Sequence, residues 1–513
     1  MSHAISYQYL PVDGERFFTV VLLPYSGGKF PTVVCRSPYV SHAKDKTEEE
    51  TAQEYYESVK PWLDRGYAVA FQHCRGKGKS SGGFTPYLFE REDGLAFRSW
   101  IREQDFYNGE LFLLGSSYTA SLHYATAPFE KDIQGAVFEV QDPERYRLWY
   151  RNGQMRKGHA NWHFGLYQSK SGVTKNFSMQ SFAELPLQGL SEKALGERAE
   201  DFERTLFAPT IDDGFWNTRL GGAETRTAVT QAEIPILLTT GYNDFYVGGV
   251  METWKNMRPK TKEKSALLLS PYNHGDGYSK ENGLAFPLGA RKEAFGKDYQ
   301  IAWFDHIRTG SHLPFQKGVI TYFRAFEKGW ATDFYQTPTN PVSVPLGNGD
   351  RPFCYDPKNP PKFLEEGRFA ENFDGRNDVV TLYTRPFEKD AFVKGKMQAV
   401  FSVRSDRPDT SFYVRISLEK SEYAYVLRHD ITSLCHQLGS YKENTVVPLE
   451  FTFDEYAFLI QKGERLRVDI SATDDNTYVS HTNQKGEYPV QTQTEIARNT
   501  VFVEQSYLIL PVE

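Results

Sequence analysis

Cysteine is scarce in this chain. Four occur in 513 residues, Cys35, Cys74, Cys354 and Cys435, widely scattered. That spacing excludes the paired cysteines of a zinc site and the dense framework of a disulfide-stapled secreted domain. The simplest expectation is a reducing cytoplasm. Long apolar runs are also missing: none reaches the ~18 residues of a membrane-span candidate. The opening residues, MSHAISYQYLPVDGERF, lack the basic-then-apolar order of a secretory leader, so no membrane partner is expected. Positive charge is not in excess. Lys and Arg total 59 against 66 Asp and Glu, a net charge of -7, which argues against nucleic acid as the main partner. Internal repeats and low-complexity tracts are absent too. Aromatic residues, by contrast, are plentiful. The 37 Phe and 31 Tyr help bring the aromatic share to 15%, which favours large cores and aromatic-lined clefts. The length exceeds one compact core and calls for two or three domains.

The first 142 residues alternate between strand and helix patterns. FFTVVLLPY (Phe17 to Tyr25), TVVCRSPY (Thr32 to Tyr39), YAVAFQHC (Tyr67 to Cys74), LFLLG (Leu111 to Gly115) and AVFEV (Ala136 to Val140) are β-rich. Between them lie a Glu- and Lys-rich helical segment, a Gly-rich loop RGKGKSSGG, and a helix-patterned stretch from Leu88 to Gln104. Such alternation predicts an α/β domain with a mostly parallel sheet. From Arg145 to Ala232 no good strand is evident, and an insertion of that size predicts a helical cap over 143–232. Sheet character returns with IPILLTTGYND and SALLLSPYNHG, and AFGKDYQIAWFDHIRTG reads as a closing helix. The α/β domain is thus expected over 1–142 and 233–335. A Pro-, Gly- and Asn-rich stretch then reads as a linker or loop-rich entry. Regular short strands follow, spaced as in an all-β jelly-roll sandwich over 336–513.

The chemistry centres on LFLLGSSYTA. An apolar strand ending in glycine, then serine, then a helix-prone run, is how one fold class lifts a serine hydroxyl for attack. The G-x-S frame selects Ser117 over Ser116. A serine hydroxyl needs a base and an acid that orients the base. In a doubly wound sheet these sit at the C-terminal ends of strands. IPILLTTGYN leads to Asp244 and SALLLSPYN leads to His274. The order Ser117, Asp244, His274 is that of an α/β-hydrolase. The backbone N–H of Tyr118 is one expected oxyanion donor. The second should come from the RSPY loop, where Tyr39 is the candidate or simply a packed strand-end tyrosine.

The run EREDGLAFRSWIREQDFYNGELFLLGSSYTA (Glu90 to Ala120) resembles the CocE/NonD hydrolases, a family of esterases, acylases and Xaa-Pro dipeptidyl-peptidases. RSPY, QHCRGKGKSSGGF, GYNDFYVGG, SPYNHG, AWFDHIRTG, YDPKNP and RLRVDISA extend the resemblance over most of the chain, weakest in the cap. It implies an α/β-hydrolase domain with a helical cap and a C-terminal jelly roll. It also implies a Ser117–His274–Asp244 triad, an oxyanion hole formed by the Tyr39 hydroxyl and the Tyr118 N–H, and no metal or cofactor. The expected function is hydrolysis of an ester or amide of a small acyl substrate through an acyl-enzyme. An Xaa-Pro dipeptidyl-peptidase acting on short peptides is the alternative. An inert binding protein using its jelly roll is the alternative of another class. The resemblance admits a homo-oligomer, and no sequence feature sets a number. Trp149, Trp162 and Tyr246 are candidates for the substrate pocket or, equally, for the core.

Three departures from the family pattern stand out. Ala120 replaces a glycine after S-Y-x, His73 replaces an acid in Q-D-x-R-G, and Tyr246 and Val247 stand where amino-acid ester hydrolases carry acids. Two motifs mimic other chemistries. Gly78-Lys79-Ser80 suggests a phosphate loop, but the position that loop requires as glycine is His73. His159 and His163 share i, i+4 spacing without the His-Glu-x-x-His pattern, which favours packing or a solvated face over zinc.

Overall fold

A computed structural model describes residues 2–127, 130, 132–167, 178–226, 231–274, 290–327 and 329–513. Its N-terminal half is built on one ten-stranded sheet. The spatial order is Ala4–Val12, Glu15–Leu23, Ala68–His73, Phe30–Ser37, Tyr107–Ser116, Ile133–Glu139, Ile236–Gly241, Ala266–Ser270, Ile320–Phe323 and Trp330–Asp333. The strands from Ala68–His73 to Ile320–Phe323 run parallel, and the ends of the sheet are antiparallel. Alternate residues serve opposite faces, as the period of a strand requires. Leu111, Leu113, Phe138, Leu238 and Leu267 enter one core, while Phe112, Val137, Leu237 and Leu268 enter the other. Both faces are therefore apolar, which explains why these strands read as continuous hydrophobic runs. Helix Glu90–Arg102 (Phe97, Ile101) covers the first face. Helices Glu48–Asp64 (Trp62) and Tyr299–Thr309 (Trp303, Phe304) cover the second.

Between the strands Ile133–Glu139 and Ile236–Gly241 the chain leaves the sheet and forms short helices. Among them are Arg145–Trp149, Lys157–Leu166, Leu190–Leu195 and Glu200–Leu206. The expectation of no strand here is corrected in one place. Tyr150–Arg151 pairs antiparallel with Gln154–Met155. The turn is Asn152-Gly153, both with positive φ (44° and 78°). Asn-Gly is the dipeptide that such a two-residue turn prefers, so the signal was present in a segment too short to show alternation.

The C-terminal half is all β. One sheet contains Val342–Pro345, Asp350–Tyr355, Ala497–Leu510, Gln398–Ser405 and Val447–Thr452; a second contains Val380–Tyr383, Arg465–Ser471, Ser411–Glu419 and Ala424–Ser433; and Ala391–Gly395 pairs with Tyr456–Ile460. The expected linker after Tyr335 is also corrected. Its Val342–Pro345 and Asp350–Tyr355 are edge segments paired to the long strand Ala497–Leu510, where proline is tolerated. No helix among the described residues is long and apolar enough to cross a membrane.

The cap hairpin plugs into the all-β domain. Arg151 Nε donates to Asp430 at 2.7 Å, its Nη1 to Asp454 at 3.0 Å, and its Nη2 to the Thr452 carbonyl at 2.7 Å. Asn152 Nδ2 adds bonds to Asp430 and to the Ile431 carbonyl. Truncating Arg151 leaves the fully buried Asp430 carboxylate without its guanidinium. Arg151→Ala is therefore expected to destabilise the folded chain by about 3 kcal/mol, measured by denaturant unfolding.

Candidate active site

The strand Tyr107–Ser116 ends at the point where the chain turns sharply into helix Tyr118–Tyr124. Ser117 sits on that turn with φ 54° and ψ -132°, a backbone state that L-residues rarely adopt. Its N–H donates to the Glu139 carbonyl of the neighbouring strand at 2.8 Å, which anchors the turn. The turn is tight enough to demand glycine two residues earlier. A Cβ on Gly115 would lie 2.5 Å from the Thr119 carbonyl oxygen and 2.6 Å from the Ala120 nitrogen. Ala120 itself is fully buried in the core beneath this turn, so the departure there adds packing.

The three sequence candidates meet. His274 Nε2 lies 2.9 Å from Ser117 Oγ. Its Nδ1 lies 3.3 Å from each oxygen of the fully buried Asp244 carboxylate. Asp244 also accepts the Tyr246 N–H at 3.1 Å. Burial alone would push the His274 pKa down. The Asp244 charge and hydrogen bond outweigh it, and the net shift is upward. Serine, histidine and carboxylate therefore stand in a relay that can move the serine proton and hold the resulting imidazolium.

Tyr39 lies beside the serine. Its hydroxyl contacts Ser117 and accepts the Trp162 Nε1–H at 3.0 Å. Burial raises its pKa despite these bonds, so it remains a phenol that can donate. Tyr118 opens the helix after Ser117, where first-turn N–H groups have no intrahelical acceptor. Its side chain points elsewhere: the hydroxyl donates to Glu90 at 2.5 Å and accepts the Tyr87 N–H at 2.8 Å.

The pocket candidates separate. Trp162 and Tyr246 belong to the site, with the Tyr246 ring 5.2 Å from the His274 ring. Trp149 does not. It is fully buried in the cap, packed on His159, His163 and Phe202. Tryptophan content alone cannot separate these cases, because both surroundings are aromatic. Phe245 was not singled out from the sequence. It is half exposed and stacks on His274 with ring centroids 5.3 Å apart. Its position directly after Asp244 at a strand end is the signal that was available. Tyr87, with φ 70°, packs on both Tyr118 and Trp162 and carries no local sequence signal.

The remaining departures and mimics have structural explanations. His73 is buried; its Nε2 meets the Tyr55 hydroxyl at 2.7 Å and its Nδ1 accepts the Lys79 N–H at 3.1 Å. Burial pushes its pKa down to about 3, so it stays neutral. The ion pairs under the serine turn are made without an acid at 73, by Arg75 with Asp93 and by Arg36 with Glu90. In the Gly-rich loop the Lys77 and Lys79 ammonium groups donate to the Leu166 and Lys46 carbonyls. His163 pairs with Asp201, and the His159 ring stacks on Trp162.

Comparison with known proteins gives the family and the fold. Residues 13–276 match the sequence model of the X-Pro dipeptidyl-peptidase (S15 family). Residues 322–508 match that of the X-Pro dipeptidyl-peptidase C-terminal non-catalytic domain. The cocaine esterase of Rhodococcus sp. (strain MB1 Bresler) is 22% identical over 469 residues, covering 79% of this chain and 78% of the esterase. The fold is that of an α-amino acid ester hydrolase (TM-score 0.80, 16% identity, 100% of this chain and 97% of that one). It is also that of an aminopeptidase from the marine sediment archaeon Thaumarchaeota archaeon (TM-score 0.79, 16% identity, 99% and 96%). With just over half of its length matched by that first model, the chain belongs to the X-Pro dipeptidyl-peptidase (S15) family, within the CocE/NonD serine hydrolases.

Proposed function

We propose that the chain hydrolyses an ester or amide of a small, uncharged acyl group through an acyl-enzyme on Ser117. The observation that carries this is the 2.9 Å approach of His274 Nε2 to Ser117 Oγ, with Asp244 behind it. His274 takes the Ser117 proton as Oγ bonds to the carbonyl carbon. Negative charge then develops on the carbonyl oxygen, which the Tyr39 hydroxyl and the Tyr118 N–H receive. His274 returns the proton to the departing alcohol or amine. Water then enters, His274 takes its proton, and the acid leaves as Ser117 recovers its own. Asp244 holds Nδ1–H throughout, so Nε2 is always the atom that accepts.

The substrate class follows from the walls. Trp162, Phe245, Tyr246 and Tyr87 surround the serine with rings. Two carboxylates near these rings are already engaged: Asp142 by Arg147 and Glu90 by Arg36. Among the described residues these rings form an aromatic wall, which suits an apolar or aryl acyl group better than an α-ammonium. The family description supports a second reading, an Xaa-Pro dipeptidyl-peptidase acting on short peptides. A panel of aryl esters, aryl amides and Xaa-Pro anilides separates the two. Turnover of the anilides alone overturns the first reading. The four cysteines are unpaired, which supports a reducing compartment such as the cytoplasm, and the paired antiparallel sheets of the second half support a jelly roll.

Tyr39 offers a direct test of the oxyanion assignment. Tyr39→Phe keeps the ring and removes the donor. Its expected cost is about 100-fold in kcat, with KM nearly unchanged, measured by steady-state kinetics on an aryl ester.

A further inference from the structure

We infer that the C-terminal all-β domain is a working part of the catalytic machinery, because two of its tyrosines position the acid of the triad. The link is Asn243, the residue before Asp244. Its side-chain amide is almost fully used. Nδ2 donates to the Pro271 carbonyl at 2.8 Å and to the Tyr425 hydroxyl at 3.1 Å, and Oδ1 accepts the Tyr456 hydroxyl at 3.3 Å. Tyr425 lies on strand Ala424–Ser433 and Tyr456 on strand Tyr456–Ile460, both in the all-β domain. The two hydroxyls also bond each other.

Each bond of Asn243 has a consequence at the triad. Pro271 lies three residues before His274 in the same loop. The Asn243 N–H donates to the Tyr272 carbonyl of that loop at 2.9 Å. Asn243 thus rivets the loop carrying the acid to the loop carrying the base, and sets the 3.3 Å spacing between Asp244 and His274 Nδ1. The tyrosines fix the rivet from the other domain. The Tyr456 ring stacks on Tyr242 at 4.5 Å, and the Tyr242 hydroxyl donates to the Phe323 carbonyl at 2.9 Å. All four side chains are buried, so none of these bonds is exchanged readily with water. A carboxylate that orients an imidazole must be held within fractions of an ångström, and here the all-β domain supplies that hold.

Asn243, Tyr425 and Tyr456 are positioning residues, and the inference rests on the hydrolase reading of Ser117. The test uses the full chain with Tyr425→Phe, Tyr456→Phe, the double variant and Asn243→Ala. In variants that remain folded by circular dichroism, kcat is expected to fall about 10-fold in the double variant and about 100-fold in Asn243→Ala, with KM within about twofold. The acidic limb of kcat/KM, and the His274 pKa followed by NMR, should both move down as Asp244 loosens. Unchanged kcat and His274 pKa in the folded double variant and in Asn243→Ala overturn the inference. So does a loss of activity that merely tracks the unfolded fraction. If a variant fails to fold, the single Tyr→Phe changes decide by the same NMR titration. A wild-type chain that a fluorophosphonate does not label refutes the hydrolase reading instead, and the His274 titration still judges the clamp.

Discussion

Ser117→Ala is expected to lower kcat about 10⁶-fold, and to abolish labelling by a fluorophosphonate probe without unfolding the chain. The magnitude follows from what is removed. In the proposed mechanism the serine oxygen is the atom that bonds the acyl carbon and the atom from which His274 Nε2, 2.9 Å away, draws its proton. Without it no acyl-enzyme forms, and what remains is attack by water in a site that still offers the oxyanion donors. The fold survives because alanine keeps the Cβ already accommodated at φ 54° and loses only the hydroxyl. The measurement is steady-state turnover of an aryl ester together with mass-spectrometric detection of the probe adduct. An adduct that persists in Ser117→Ala places the nucleophile elsewhere.

Asp244→Asn is expected to cost about 10⁴-fold in kcat while leaving substrate affinity nearly intact. The amide fits the same buried space, but it allows His274 the wrong tautomer and no longer balances the imidazolium. The pH profile carries an independent sign. His274 must be neutral to accept the serine proton. Burial depresses its pKa, the Asp244 charge and hydrogen bond more than restore it, and the net value lies above the ordinary 6.5. Activity in the wild type should therefore fall as pH drops through a limb above 6.5. In Asp244→Asn only the burial contribution remains, so the limb moves to lower pH. At neutral pH the variant then has more neutral histidine than the wild type and is still far slower. Orientation, more than protonation state, is thus what the carboxylate contributes. A limb that stays in place in Asp244→Asn would assign the raised pKa to another group.

Much of this site was legible because its signals are local and ordered. A buried strand shows as an apolar run, and its end shows where a functional group is presented. Ser117, Asp244 and His274 each follow such a run, so chain order alone aligned them. Tyr39 was a candidate from the position of its loop, but its hydroxyl as the donor was legible only through family resemblance, since nothing in RSPY says that the phenol reaches the serine. The Trp149 and Trp162 pair shows where local signals stop. Both are aromatic residues in a segment without strand periodicity. One fills the cap core and the other donates to Tyr39. Only the packing of helix Lys157–Leu166 against the α/β domain distinguishes them. The hairpin at Asn152-Gly153 and the edge strands after Tyr335 were hidden for a related reason. The hairpin strands are two residues each, and the edge strands are short and pair with a strand about 150 residues away, so neither carries much periodicity of its own.

The amino-acid sequence by itself determined the layered α/β architecture, the all-β second half and the order of Ser117, Asp244 and His274 at their strand ends. Those follow from hydrophobic period and strand-end position, which are properties of neighbouring residues. Tertiary structure alone decided which aromatic rings face the serine and how the cap is latched through Arg151. It also decided that Asn243 is gripped by Tyr425 and Tyr456 from about 200 residues away. Those contacts join residues remote in sequence, and a hydrogen bond between them leaves no pattern in the chain until folding brings donor and acceptor together.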